Sequence, residues 1–149
     1  MPSFVGTFSY AIDHKGRIAV PADMRRGGSA RKPLATFFLN RGLDGCIAVN
    51  PPESWQRLLE KMRKFSPGDA RARAFRRVFM QDAMEVTVDS QGRITIPPAL
   101  IGRAGLDKEA VLLGQVDRIE IWDAARLNQV TAEPQSQLET LADEVLGKE

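Results

Sequence analysis

The sequence predicts an α+β protein, mainly β, in which one strand-rich unit is present twice within a single chain. Three observations carry this. The pattern Asp-x-x-Gly-Arg-Ile-x-(Val/Ile)-Pro occurs at Asp13 to Pro21 and again at Asp89 to Pro97. Each copy is flanked by short runs with apolar side chains at alternate positions, as in strands with one buried face. Each ends in a proline that stops the strand and opens a short helical segment.

In the first copy Tyr10-Ala11-Ile12 leads into the turn Asp13-His14-Lys15-Gly16, and Arg17-Ile18-Ala19-Val20 leads out. In the second, Glu85-Val86-Thr87-Val88 leads into Asp89-Ser90-Gln91-Gly92, and Arg93-Ile94-Thr95-Ile96 leads out. An aspartate at the first turn position can accept hydrogen bonds from the turn backbone, and a glycine at the last takes a positive φ that a Cβ resists. Asp13, Gly16, Asp89 and Gly92 therefore define two hairpin or bulged turns. Because side chains alternate across a strand, burying Ile18 and Val20 sends Arg17 to the opposite face, and burying Ile94 and Ile96 does the same to Arg93. After the prolines, Ala22 to Arg26 and Pro98 to Ala104 are predicted to be helical. Strands follow at Thr36-Phe37-Phe38-Leu39 and Cys46-Ile47-Ala48-Val49, and in the second copy at Ala110-Val111-Leu112-Leu113 and Ile119-Glu120-Ile121-Trp122. Each unit reads β-β-α-β-β in about fifty residues, which is small for an independent core. The two copies are expected to share one core by pairing or interleaving their hairpins.

Between the copies lies a helical insertion. Trp55, Leu58, Leu59 and Met62 follow the helical period after Pro51-Pro52. Ser66-Pro67-Gly68-Asp69 breaks it, and Ser66 or Asp69 can cap a second helix with Phe75, Val78 and Phe79 on one side. A helical hairpin packed on the β-structure is expected. At the carboxyl end, Ala124 to Glu133 is helical in pattern, Pro134 is expected to interrupt it, and Leu138, Leu141, Ala142 and Val145 form another apolar stripe beside acidic residues. That terminal helix either packs on its own subunit or docks on a neighbour.

The chain of 149 residues with 43% apolar content can build a core, and no apolar run is long enough to span a bilayer. The start Met1-Pro2-Ser3-Phe4-Val5-Gly6 lacks a signal-peptide pattern, and the single Cys46 cannot form an internal disulfide, so a cytoplasmic location is expected. The net charge of +2 hides an asymmetry: residues 1–77 hold fifteen Lys/Arg against six Asp/Glu, and residues 78–149 hold six against thirteen. This suggests an anionic partner for the first half or head-to-tail self-association. Lys15, Arg17, Arg25, Arg26, Arg31 and Lys32 gather around the first hairpin and its helix, which favours nucleic acid. No HExxH, CxxC, GxSxG or phosphate-loop pattern occurs, and the lone His14 lies in a turn. Neither enzymatic activity, a metal site nor a cofactor is expected.

Arginine's planar fork can bind phosphate or the O6/N7 edge of guanine with two hydrogen bonds. Arg17 and Arg93 are placed for this outside the core at the base of each hairpin. The same geometry permits an Asp13–Arg17 and an Asp89–Arg93 pair within each turn; the two roles are compatible.

The paired Asp-x-x-Gly-Arg turns, the Ile-x-(Val/Ile)-Pro strands and the duplication across most of the chain resemble the MraZ family of bacterial transcriptional regulators, built from two SpoVT-AbrB-type domains. The resemblance implies a duplicated AbrB-like swapped-hairpin barrel formed within one chain, with a helical insertion and a C-terminal helix. It implies DNA-binding repeats at 7–54 and 83–126, the insertion at 55–82 and a helical tail at 127–149. It further implies binding of double-stranded promoter DNA carrying short repeated boxes near the start of the cell-division and cell-wall gene cluster, a nucleoid-associated protein, and ring-like homo-oligomers, with no membrane partner. In the family the turn arginine and a later Arg-Arg pair contact DNA, which maps onto Arg17 and onto Arg25-Arg26 after Pro21-Ala22-Asp23-Met24, with Lys15 beside them. The second repeat keeps Arg93 but has Ile101-Gly102 where the pair falls, with Arg103 one step beyond. The first repeat is therefore expected to carry the main contact surface, with Arg17→Ala costing more binding than Arg93→Ala. An AbrB-like antitoxin or transition-state regulator, and a structural oligomer that binds protein partners, stand as alternatives.

Overall fold

The computed structural model describes residues 2–27 and 32–147, so Arg31, grouped above with the first hairpin, lies outside the described residues. The first copy runs β1 (Thr7–Ala11), β2 (Arg17–Ala19), α1 (Ala22–Arg25), β3 (Thr36–Arg41), β4 (Ile47–Asn50), α2 (Pro52–Arg63) and α3 (Ala70–Gln81). The second repeats the order with β5 (Met84–Thr87), β6 (Arg93–Thr95), α4 (Pro98–Ala104), β7 (Glu109–Gly114), β8 (Ile119–Trp122), α5 (Ala124–Gln135) and α6 (Leu138–Val145). The helical insertion and the helical tail thus occupy equivalent places, a two-helix ending to each copy.

Local chemistry sets these helices. Pro52 opens α2, where its missing N–H would be unpaired in any case. Asp69, not Ser66, caps α3 by accepting the backbone N–H groups of Arg71 and Ala72. Pro134 does not break α5, contrary to the sequence expectation; the helix continues to Gln135 and turns at Ser136 and Gln137. A proline there disrupts little because the helix has almost ended, and the Ser136 and Gln137 N–H groups bond the carbonyls of Glu133 and Pro134.

Six strands form one antiparallel sheet in the order β1-β7-β8-β4-β3-β5, and β2 and β6 form a separate two-stranded ribbon. The copies exchange strands: β1 of the first pairs with β7 of the second, while β5 of the second pairs with β3 of the first. The arrangement is pseudo-symmetric about the central β8–β4 pair. The expected swapped-hairpin barrel does not close among the described residues, since β1 and β5 are opposite edges of the large sheet and the ribbon is not hydrogen-bonded into it as a strand. Each ribbon strand is only three residues long and is soon followed by a proline, Pro21 or Pro97, which cannot donate to a ladder.

One apolar core joins sheet, ribbon and the short helices. Ile18, Val20, Ile94 and Ile96 from the ribbon segments meet Phe37, Leu39, Val49, Leu112, Ile119 and Ile121 from the sheet, with Met24 of α1 and Leu100 of α4. The α2 helix covers the sheet through Trp55, which stacks on Phe38 with ring centroids 5.3 Å apart and on Phe79 of α3 at 6.2 Å. The expected burial of the α3 stripe is only partly realised. Phe79 is half-buried, but Phe75 and Val78 remain exposed. Cys46 is buried, and desolvation with the nearby Glu120 carboxylate pushes its thiol up to about 12, so it stays protonated at neutral pH. Among the described residues no helix is long and apolar enough to cross a membrane.

Candidate nucleic-acid interface

Each repeated motif folds into the same turn. In the first, Asp13 Oδ1 accepts the backbone N–H groups of Lys15 and Arg17, both at 2.9 Å, while Oδ2 accepts Arg17 Nε at 2.6 Å. In the second, Asp89 Oδ1 accepts Gln91 N–H at 2.8 Å and Arg93 N–H at 2.9 Å, and Oδ2 accepts Arg93 Nε at 3.1 Å. Gly16 and Gly92 both sit at φ +77°, a conformation that a β-branched residue adopts only with strain. Hence the motif needs Asp, Gly and Arg at these spacings: one carboxylate organises the turn backbone with one oxygen and holds the guanidinium with the other.

The two turns are joined by the ribbon. Its register pairs Arg17 with Thr95, Ile18 with Ile94 and Ala19 with Arg93. Alternation buries Ile18 and Ile94, so Arg17, Ala19, Arg93 and Thr95 share the opposite face. Val20 N–H donates to the Gly92 carbonyl at 2.9 Å, and Ile96 N–H donates to the Gly16 carbonyl at 2.8 Å, which locks each turn to the strand end of the other copy. Arg93 Nη1 also approaches Asp13 Oδ2 at 3.7 Å, linking the copies through charge.

The remaining basic residues are not distributed as the sequence suggested. Lys15 is exposed at the tip of the first turn, and Arg26 is exposed just after the end of α1 with a loose 3.9 Å approach to Asp23. Arg25, however, does not lie beside its own turn. Its Nε donates to the Val20 carbonyl at 2.9 Å, and its guanidinium lies against Gly92, where a Cβ would come within 3.0 Å of Cζ. The equivalent residue of the second copy, Ile101, packs against Gly16. The strand exchange that builds the core therefore delivers Arg25 to the second turn, while Lys15 serves the first. Each turn thus has its own arginine and one further cation. Arg103 is paired with Asp82, just past the end of α3. Periodicity places a side chain on a face; only the tertiary pairing shows which turn it accompanies.

Backbone hydrogen bonds, led by that from Arg17, hold the Asp13 carboxyl down at about 2 against an ordinary 3.8, and the bond from Arg93 lowers Asp89 in the same direction. Because both carboxyls bind protons less readily in the folded chain, their stabilising contribution is present above pH 3.8 and is lost below it, for Asp13 as the pH falls through about 2. Calorimetry is expected to show a melting temperature that declines across that window. An Asp13→Asn, Asp89→Asn double variant should show a flatter decline, since its turns no longer contain a carboxylate to protonate.

The geometry offers hydrogen-bond donors and positive charge, with no cluster of metal-ligating side chains among the described residues. The family model described as "MraZ protein, putative antitoxin-like" matches the chain twice, over residues 3–78 and 79–148. Three similar proteins bear the name transcriptional regulator MraZ. That of Natranaerobius thermophilus is 38% identical over 143 residues, spanning 96% of this chain and 96% of its own length. That of Thermomicrobium roseum is 41% identical over 143 residues, 93% of this chain and 97% of its own. That of Heliobacterium modesticaldum is 39% identical over 144 residues, 96% of each chain.

Proposed function

The chain belongs to the MraZ family, and from that membership we propose that it is a sequence-specific DNA-binding transcriptional regulator, without enzymatic activity, that acts as a homo-oligomer in the cytoplasm in association with the nucleoid. The observation that supports this best is the ribbon. A two-stranded antiparallel ribbon is narrow enough to enter the major groove of B-DNA, and this one has Arg17 and Arg93 diagonally across one face, opposite Thr95 and Ala19 in register. Each guanidinium is held through Nε by the aspartate of its own turn, which leaves terminal nitrogens for a base edge. Lys15 and Arg25 border these turns, Arg26 is exposed just after α1, and the three supply charge for flanking phosphates. The regulated promoter, in this reading, carries short repeated boxes at the head of the chain's own operon in the cell-division and cell-wall gene cluster.

Self-association supplies what one ribbon lacks. Few cations neutralise few phosphates, so a single subunit on a single box should bind modestly and salt-dependently. Several boxes met by one assembly make each later contact intramolecular, with a gain of about 10²–10⁴ when the spacing fits. The exposed apolar side chains of α6, Leu138 at 70% and Val145 at 73%, and the exposed Phe75 and Val78 of the basic α3, favour such assembly over a monomer. The test is a titration against duplexes carrying one to four copies of a box selected from a random pool, with sedimentation of the free protein. Tight binding that begins only at two regularly spaced boxes is the expected result. Equal affinity for one box and three, by a protein that sediments as a monomer, would overturn the oligomeric reading.

A further inference from the structure

The carboxylates of the two turns form a connected unit with the arginines. Asp13 Oδ2 meets two guanidinium groups, Arg17 Nε at 2.6 Å and, across the ribbon, Arg93 Nη1 at 3.7 Å. Among the described residues Asp89 meets only Arg93, through Nε at 3.1 Å. Both arginine side chains are 27% exposed, so they are folded against this network and do not extend freely into solvent. A carboxylate on Nε fixes the plane of a guanidinium and leaves terminal nitrogens for a second partner. It also places negative charge beside any approaching phosphate, which disfavours contacts that depend on charge alone.

We infer that Asp13 and Asp89 are specificity-determining positioning residues: they orient Arg17 and Arg93 so that the ribbon reads base edges in preference to binding any phosphate backbone, and Asp13 couples the two arginines across the copies. This rests on the DNA-binding reading above. It goes beyond that reading by assigning discrimination to two acidic side chains that need not touch DNA. Substitution by asparagine separates the two tasks of each aspartate, because Oδ1 still accepts the turn N–H groups while the charge that holds the arginines is gone.

The experiment measures binding of wild type, Asp13→Asn, Asp89→Asn and Asp23→Asn to two labelled duplexes of equal length, one enriched by the wild-type protein from a random pool and one scrambled. The Nε–Hε resonances of Arg17 and Arg93 are recorded on each free protein. Asp13→Asn should tighten binding to the scrambled duplex and reduce the selected-to-scrambled ratio by about tenfold, within the range that one oriented arginine contributes to base discrimination. Asp89→Asn should reduce the ratio less. Asp23→Asn adds the same charge at an exposed position whose side chain is 89% accessible, and should tighten both duplexes with the ratio unchanged. Asp13→Asn should shift both arginine resonances and Asp89→Asn chiefly that of Arg93. A ratio unchanged in both turn variants, an equal fall in Asp23→Asn, or an Arg93 resonance indifferent to Asp13→Asn would overturn the inference. A wild type that discriminates between no duplexes would instead overturn the DNA-binding reading on which it rests. If Asp13→Asn does not fold, the ratio and the Arg93 signal of Asp89→Asn decide the matter.

Discussion

Ile94→Ala is expected to destabilise the fold by roughly 2–5 kcal/mol, the cost of deleting a large buried aliphatic side chain and leaving a cavity. Ile94 lies opposite Ile18 across the ribbon, and both are buried in the shared core. The ribbon strands contribute only three paired residues each, so their backbone ladder is short and the isoleucines provide much of the attachment to the sheet. Ile18→Ala should have a similar effect by pseudo-symmetry. The double variant should depart from additivity because the side chains are direct neighbours. Against a total stability of about 5–15 kcal/mol for a domain, either single variant should remain folded but melt well below wild type. Thr95→Ala, on the exposed face of the same strand, should change stability by no more than about 0.5 kcal/mol. Urea denaturation followed by circular dichroism checks the series. Equal midpoints for Ile94→Ala and Thr95→Ala would show that the ribbon is not anchored through its buried face.

The turns were legible from sequence because their determinants are local. Asp13 and Asp89 bond groups two and four residues away, and Gly16 and Gly92 meet a backbone requirement of their own position. The inward direction of Ile18 and Ile94 followed from alternation for the same reason. What alternation does not contain is the identity of the partner strand. The sequence suggested shared hairpins, but not that β1 would lie on β7, nor that Arg25 would cross to Gly92. The expected barrel relied on family resemblance and met the physical limit of two very short strands ended by prolines. Two helical expectations erred through position: Pro134 falls where a helix is already ending, and Phe75 belongs to an apolar stripe that the subunit covers only in part.

Removing both ribbon arginines should have the largest functional effect. Arg17 and Arg93 lie on the face of the ribbon opposite the core, half-buried, and each is held by a carboxylate that remains after truncation to alanine. Each oriented arginine contributes about 1–3 kcal/mol to recognition of a preferred base pair, so the double variant should lose on the order of 10²-fold or more in affinity. The fold should survive, because exposed or half-exposed ion pairs contribute little to stability. The two single variants should weaken binding comparably, since Lys15 accompanies one turn and Arg25 the other. Arg26→Ala, altering an exposed cation just after α1, should reduce affinity for all sequences alike and lower the salt slope by about one phosphate equivalent.

The measurement that bears most directly on the ribbon as the DNA-reading element is a fluorescence-anisotropy titration of wild type and the Arg17→Ala, Arg93→Ala double variant. Both are titrated at one fixed salt concentration against a duplex enriched by the wild-type protein. A loss of about 10²-fold or more is expected, with an unchanged melting temperature and sedimentation coefficient. A folded, normally assembled double variant that binds within a fewfold of wild type would contradict it.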